Sequence, residues 1–368
     1  MPLKKLYEST YQWVNERAGL DDILDFLHKK EVPICNRSIW YYFGGISMFL
    51  FLVQVITGIL LLMYYRPGPD ASYESLQLIV SKVHFGWLVR DIHSWSANLM
   101  ILCVFIHMFS VFFMKSYRKP REMTWITGMI LLSLALGFGF SGYLLPWNEL
   151  AFFATKVGTD MAGTVPLAGD FLLRLLRGGP DVTGATLSRF FGIHVAVLPG
   201  IFTVVLAIHL ILLQRQGLSQ PLSWRNLPEE QKKTMPFYPN FVLRELIFWM
   251  AALAVINALA VFLPWGIGVK ADPFAPAPPG IKPEWYFMFM FQSLKMLPAH
   301  IGPIEGELFG LAVFNLGALV WLTLPLWDRT AEASPRSRVI TWLGILIVAF
   351  IVAMTVVGYS VSAAGPSA

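Results

Sequence analysis

The stretch His93-Ser-Trp-Ser-Ala-Asn-Leu-Met-Ile-Leu-Cys-Val-Phe-Ile-His107 decides how this chain folds, together with its counterpart from His194-Val195-Ala196-Val197 to Ala207-Ile208-His209. In each, two histidines bound an apolar run, at intervals of 14 and 15 residues. An α-helix turns about 100° per residue, so the second histidine returns to roughly −40° and +60° from the first. Each pair therefore lies on one helix face. The two members stand about 21–22 Å apart along the axis, most of a hydrocarbon core about 30 Å thick. Two facing helices so equipped hold two stacked bis-imidazole sites at different membrane depths. Imidazoles at such depths are costly and usually functional, and neutral imidazole is a standard ligand of haem iron.

The rest of the chain supplies the membrane. Of 368 residues 56% are hydrophobic and only 14% charged, with a mean hydropathy of +0.58, against about 25% charged in soluble domains. Segments near 40–63, 88–113, 124–145, 190–214, 242–263, 306–326 and 339–360 are apolar and long enough to span. Seven spans place the termini on opposite sides. Lys and Arg concentrate on the N-terminal side, in Lys4–Arg37, Lys115–Arg121, Arg215–Arg244 and Arg329–Arg338. By the positive-inside rule that side, with the N-terminus, faces the cytoplasm and the C-terminus lies outside. A net charge of +5 calls for no nucleic-acid partner.

Residues 1–39 are polar and mixed, with Leu20, Ile23, Leu24 and Leu27 at helical spacing, and read as an amphipathic helix on the membrane surface. No short apolar signal segment with a cleavage site comes before them, which suits a bacterial or organelle-encoded protein inserted by its first span. The two cysteines, Cys35 and Cys103, give neither a disulfide framework nor a Cys-x-x-Cys-His haem attachment. Haem on the paired histidines is therefore non-covalent. Cys103 reads as a packing residue and Cys35 as structural rather than a thioether site.

Glycines add a second clue. Gly44 and Gly58 in the first span, and Gly128 and Gly142 in the third, recur at the His93–His107 interval. A residue without a side chain lets a flat macrocycle approach the backbone. Spans two and four then supply ligands, and spans one and three supply walls of a four-helix bundle.

These features, with Arg90, Lys119-Pro120-Arg121-Glu122, Gly142-Tyr143-Leu144-Leu145-Pro146-Trp147, Thr183-Gly184-Ala185-Thr186-Leu187-Ser188-Arg189-Phe190 and Pro283-Glu284-Trp285-Tyr286-Phe287, resemble cytochrome b of the cytochrome bc and cytochrome bf complexes. The resemblance covers nearly the whole chain. The 15-residue step in the fourth span and the total of seven spans are similar to the bf side, with its small companion subunit fused near Gly217–Thr234. The residue that attaches an extra haem in cytochrome bf corresponds to Tyr42 here, so that haem is not implied.

The resemblance implies an all-α integral membrane protein with a surface helix over 1–39, a di-haem domain over 40–216, a linker over 217–241 and a C-terminal domain over 242–368. It implies two non-covalent b-type haems, His93 with His194 on the outer side and His107 with His209 on the inner side. Arg90 and Arg189 resemble propionate-neutralising arginines at the outer site, with Arg118, Lys119 and Arg121 in that part at the inner one. Glu284 resembles the proton acceptor of quinol oxidation, because a carboxylate amid apolar side chains takes up protons near working pH. Tyr286 and Tyr143 line the same pocket, shaped by Pro146-Trp147 and Asp272-Pro273-Phe274. At the inner quinone site the family position falls on Gln214, next to Arg215, with Asn36 and Arg37 as further polar contacts. His28, His84 and His300 read as surface residues.

The implied activity is bifurcated quinol oxidation, with one electron going to a Rieske-type iron–sulfur protein and on to a c-type cytochrome. The other crosses both haems to reduce quinone on the inner side, with net proton translocation. The implied setting is a homodimeric complex in a bacterial inner membrane. Two other classes accommodate membrane histidines: a haem-containing anchor of a quinone-reducing dehydrogenase, and a transporter with a histidine proton relay.

Overall fold

The computed structural model describes residues 2–224, 227–328 and 335–361. The chain is mostly helical. Six helical stretches are long and apolar enough to cross a membrane: Ser38–Leu62, Gly86–Phe113, Glu122–Tyr143, Gly184–Gln216, Phe237–Phe262 and Pro335–Ser360. The segment expected near 306–326 is a shorter apolar helix, Gly306–Leu322, which stops at Thr323 before a short turn of helix, Leu324–Trp327, carrying Pro325. Proline cannot continue the hydrogen-bond ladder, which accounts for the early stop.

In the N-terminal part the first span packs along the second and the third along the fourth. The spans turn apolar side chains outward, among them Ile56, Ile59, Val204, Ile247 and Leu346, each exposed by 58–67%. Apolar groups facing out of a helix bundle suit lipid, where backbone groups are satisfied within each helix. Leu50, Phe51, Met100, Leu131, Ala135, Phe202 and Ile256 form the central core. Phe202 stands against Phe51 at 4.3 Å and Phe138 at 5.8 Å between ring centroids.

The N-terminal surface helix is two helices, Pro2–Ala18 and Leu20–Lys29. They break at Gly19, whose φ of +61° is a left-handed conformation that glycine adopts without penalty. The segment continues into a strand, Glu31–Pro33, paired antiparallel with Thr234–Pro236 from the stretch between the fourth and fifth spans. The expected linker is thereby bound to the N-terminal segment.

Two helices between the third and fourth spans extend the structure, Glu149–Gly163 and Gly169–Arg177, and Gly184–Gly192 begins the fourth span. Buried Arg177 donates to the Thr159 hydroxyl and the Asp160 carboxylate, both at 2.7 Å, and locks the first two together. Pro283-Glu284 leads into a further helix, Trp285–Lys295, which packs against the last span. The Trp285 indole donates to Asn98 of the second span at 2.9 Å, so this helix is fixed to the di-histidine bundle.

Candidate functional site

Each of the four imidazoles meets one of the four glycines. A Cβ built on Gly142 would lie 2.6 Å from His194 Cε1, on Gly44 2.9 Å from His107, on Gly128 3.3 Å from His209, and on Gly58 3.4 Å from His93. Each glycine thus makes room for the edge of an imidazole. Their 14-residue spacing repeats that of the histidines because the two helices of each pair run alongside one another.

The 15-residue interval in the fourth span has a local cause. Ile193–Val197, which contains His194, is a π-helical turn. Such a turn takes up one extra residue, so His194 and His209 are brought onto nearly the face that a 14-residue interval gives. His194 then reaches Gly142 while His209 reaches Gly128, across a third span that is regular α-helix from Glu122 to Tyr143.

Hydroxyls fix the rings. Thr57 Oγ1 donates to the Val53 carbonyl at 2.6 Å and lies 2.8 Å from His93 Nδ1. Thr127 Oγ1 donates to Met123 at 2.9 Å and lies 2.9 Å from His209 Nδ1. Ser141 Oγ donates to Gly137 at 2.8 Å and lies 3.1 Å from His194 Nδ1. A hydroxyl has one proton, here given to a carbonyl of its own helix, so the ring Nδ1–H donates to the oxygen. That sets the tautomer and leaves the Nε2 lone pair for a metal. Each hydroxyl immediately precedes the glycine that faces the ring. Sequence reading found the glycines and missed these neighbours, though the Thr-Gly, Thr-Gly and Ser-Gly pairs at the shared interval were the signal. At the fourth position Phe43 precedes Gly44, and His107 Nδ1 is buried without a hydrogen-bond partner among the described residues.

The histidines line two cavities. The one expected on the outer side, about 430 Å³, holds His93 and His194 together with Arg90, Tyr143, Glu284 and Tyr286. The His93 and His194 rings stand 6.4 Å apart between centroids, room for one metal bound to a nitrogen on each side at about 2 Å. Burial pushes the Glu284 carboxyl above its ordinary value. The Tyr286 phenol is pushed up too, by burial first and then by the Glu284 charge, and its hydroxyl packs on Gly139, where a Cβ would lie 2.5 Å away. Arg90 is buried, paired with Asp91 at 3.0 Å, and donates to the Gly266 carbonyl at 3.0 Å and to that of Trp265.

Other expected residues fall elsewhere. Arg189 does not join Arg90: its guanidinium donates to the Leu175 carbonyl at 2.7 Å and to Arg174 at 3.3 Å, outside the cavity lining. Pro146 lines the outer cavity, but Trp147 is buried in the core beneath it and Phe274 is 97% exposed. Arg118 binds Asp328 at 2.9 Å, which ties the loop after the second span to the end of the short Leu324–Trp327 helix.

The inner cavity, about 410 Å³, holds His107 and His209 with Lys30, Arg121, Gln214 and Glu245. Asn36, Arg37 and Arg215 are outside its lining. Lys30 donates to the Gln214 side-chain carbonyl, and burial lowers its ammonium below the usual lysine value. The Glu245 carboxylate fills the space above Gly45, with Oε1 unpartnered among the described residues. Glu245 and Lys30 were missed in the sequence. A carboxylate inside an apolar span is expensive and was the available signal for the former; Lys30 is placed by the Glu31–Pro33 strand pairing and by its carbonyl, which accepts from Phe237 N–H at 2.7 Å.

The chemistry of the donor set narrows the metal. No cluster of three or more His, Cys, Asp or Glu that could hold an ion occurs among the described residues. Two imidazoles per site, with glycine at each ring edge, would suit an iron porphyrin, which brings its other donors with it. Met100 lines both cavities, and the central core that includes it forms the septum between them.

Comparison with known proteins agrees. Residues 28–217 match the family described as cytochrome b/b6/petB, and residues 270–365 that described as cytochrome b (C-terminal)/b6/petD. The chain is 50% identical over 346 residues to the cytochrome bc complex cytochrome b subunit of Chlorobaculum thiosulfatiphilum, covering 93% of this chain and 79% of that protein. It is 40% identical to a cytochrome b6 of a Synechococcus species over 212 residues, covering 58% of this chain and 97% of the relative. A solved structure of a hyperthermophilic respiratory Complex III superposes with a TM-score of 0.84 at 29% identity, covering 95% of this chain and 91% of that one. The chain belongs to the cytochrome b/b6 family, with the N-terminal four-helix part and the C-terminal part fused in one polypeptide.

Proposed function

We propose that this chain is the di-haem b subunit of a quinol-oxidising cytochrome bc-type complex. It holds two non-covalent b-type haems, one between His93 and His194 and one between His107 and His209. The haems supply single-electron carriage across the membrane. The reading is carried by one observation: Glu284, Tyr143 and Tyr286 share a cavity with His93 and His194.

Quinol oxidation releases two protons as two electrons leave, so it needs a base beside the first electron acceptor. Glu284 takes that part, because its buried carboxyl binds a proton more readily than an exposed one. Tyr143 and Tyr286 wall the quinol, and Arg90 presents positive charge to the outer haem. One electron would pass to an external Rieske-type iron–sulfur protein and on to a c-type cytochrome, and His93 and His194 would hold the group that takes the other. At the inner cavity, Lys30, Gln214 and Glu245 are placed to bind quinone and deliver protons to it. Protons released outside and taken up inside give net translocation. The N-terminus is cytoplasmic and the C-terminus outside, in a bacterial inner membrane, and two copies form a dimer.

A haem-bearing anchor that only passes electrons to quinone needs no carboxylate at the outer site. Glu284 in that cavity and the matched C-terminal part favour quinol oxidation instead. Glu284→Gln tests the reading in the intact complex, with turnover expected to fall about 10²-fold or more and both haems retained. Wild-type turnover rises with pH through the elevated Glu284 value, since the base acts deprotonated, and the variant loses that rise. Unchanged turnover and an unchanged pH profile would remove Glu284 from the reaction.

A further inference from the structure

We propose that the hydroxyl preceding each facing glycine tunes the histidine opposite it, and that Phe43 withholds this tuning from His107 alone. The inference rests on the reading of the four histidines as haem ligands. Three rings donate Nδ1–H to an oxygen whose own proton is committed elsewhere: His93 to Thr57 at 2.8 Å, His209 to Thr127 at 2.9 Å and His194 to Ser141 at 3.1 Å. His107 presents the same edge to its glycine, with Cε1 2.9 Å and Nδ1 3.3 Å from a Cβ on Gly44. Its ring is thus posed like the others, and what differs is the acceptor. Phe43 occupies the hydroxyl's place, and the buried Nδ1 has no partner among the described residues.

An accepted Nδ1–H bond makes the ring a stronger donor to iron and favours the oxidised metal; a ring without one favours the reduced metal. The outer pair has two such bonds and the inner pair one. Thr57, Thr127 and Ser141 are positioning residues that also set potential, and Phe43 is the residue that makes the inner site easier to reduce.

The test is a redox titration of the purified complex, followed by the b-type absorbance of each haem. Thr57→Val raises the outer midpoint by a three- to tenfold change in the reduction equilibrium, about 30–60 mV at 59 mV per tenfold for one electron. Thr57→Ser returns it towards the wild-type value. Phe43→Ser supplies the missing acceptor and lowers the inner midpoint by a similar amount; it leaves the His93 contacts untouched and carries the test should Thr57→Val not assemble. Both haems bound, with midpoints unmoved in Phe43→Ser, overturn the inference and leave the ligand assignment standing. A wild-type complex without two b-type haems overturns that assignment and the inference with it.

Discussion

At the outer pair both imidazoles donate to hydroxyls, Thr57 for His93 and Ser141 for His194, whereas at the inner pair only His209 does, to Thr127. The cavities differ in the same sense. The outer one gathers Tyr143 from the third span with Glu284 and Tyr286 from the start of the Trp285–Lys295 helix. The inner one is completed by Lys30 from the N-terminal segment and Glu245 from the fifth span. The lesson is that a repeated scaffold, glycine against histidine four times over, fixes where the sites are. Single departures from the repeat, and the non-repeated elements that close each end, give the two sites different chemistry.

The glycine contacts offer the strongest way to break this comparison. Gly142→Ala crowds His194 and costs about 1–3 kcal/mol through overpacking, with loss of the outer haem measured as absorbance per polypeptide. Gly44→Ala does the same at the inner haem, since its Cβ would also fall under 3.0 Å from the ring. Gly58→Ala, at an ordinary contact distance of 3.4 Å, leaves both haems bound. Equal loss in all three would show that the glycines act through something other than the imidazole edge.

A smaller effect sharpens the outer site alone. The Tyr286 hydroxyl packs on Gly139. Tyr286→Phe therefore removes the hydroxyl's packing on Gly139 and its proposed contact with quinol, the latter about 0.5–1.5 kcal/mol, seen as a severalfold rise in the quinol concentration for half-maximal turnover. A fall in turnover as large as that of Glu284→Gln would make Tyr286 a second proton carrier.

Much of this was legible in the sequence, and the reasons are periodic. Histidines and glycines at a common interval announce paired helices because membrane helices are regular and their contacts repeat along the axis. The unequal step at His194–His209 was visible too, but its absorption by the π turn at Ile193–Val197 was not read, although Pro199, with no N–H to give the helix ladder, stands two residues beyond that turn. Arg189 was expected beside Arg90 from its motif. Its side chain instead caps carbonyls of the Gly169–Arg177 helix, a helix whose short, mixed sequence carried no membrane signal. The inner cavity was the least legible. Its polar residues Lys30, Arg121, Gln214 and Glu245 come from four separate parts of the chain, and the strand pairing of Glu31–Pro33 with Thr234–Pro236 that brings Lys30 there is only three residues long.

The most direct measurement is a haem count and reduced-minus-oxidised spectrum of the complex in two double variants. His93→Ala with His194→Ala should keep one b-type haem per chain with the inner site's midpoint, and His107→Ala with His209→Ala should keep one with the outer site's. Two haems retained in either variant, or an identical remaining midpoint in both, would contradict two separate sites built on these pairs.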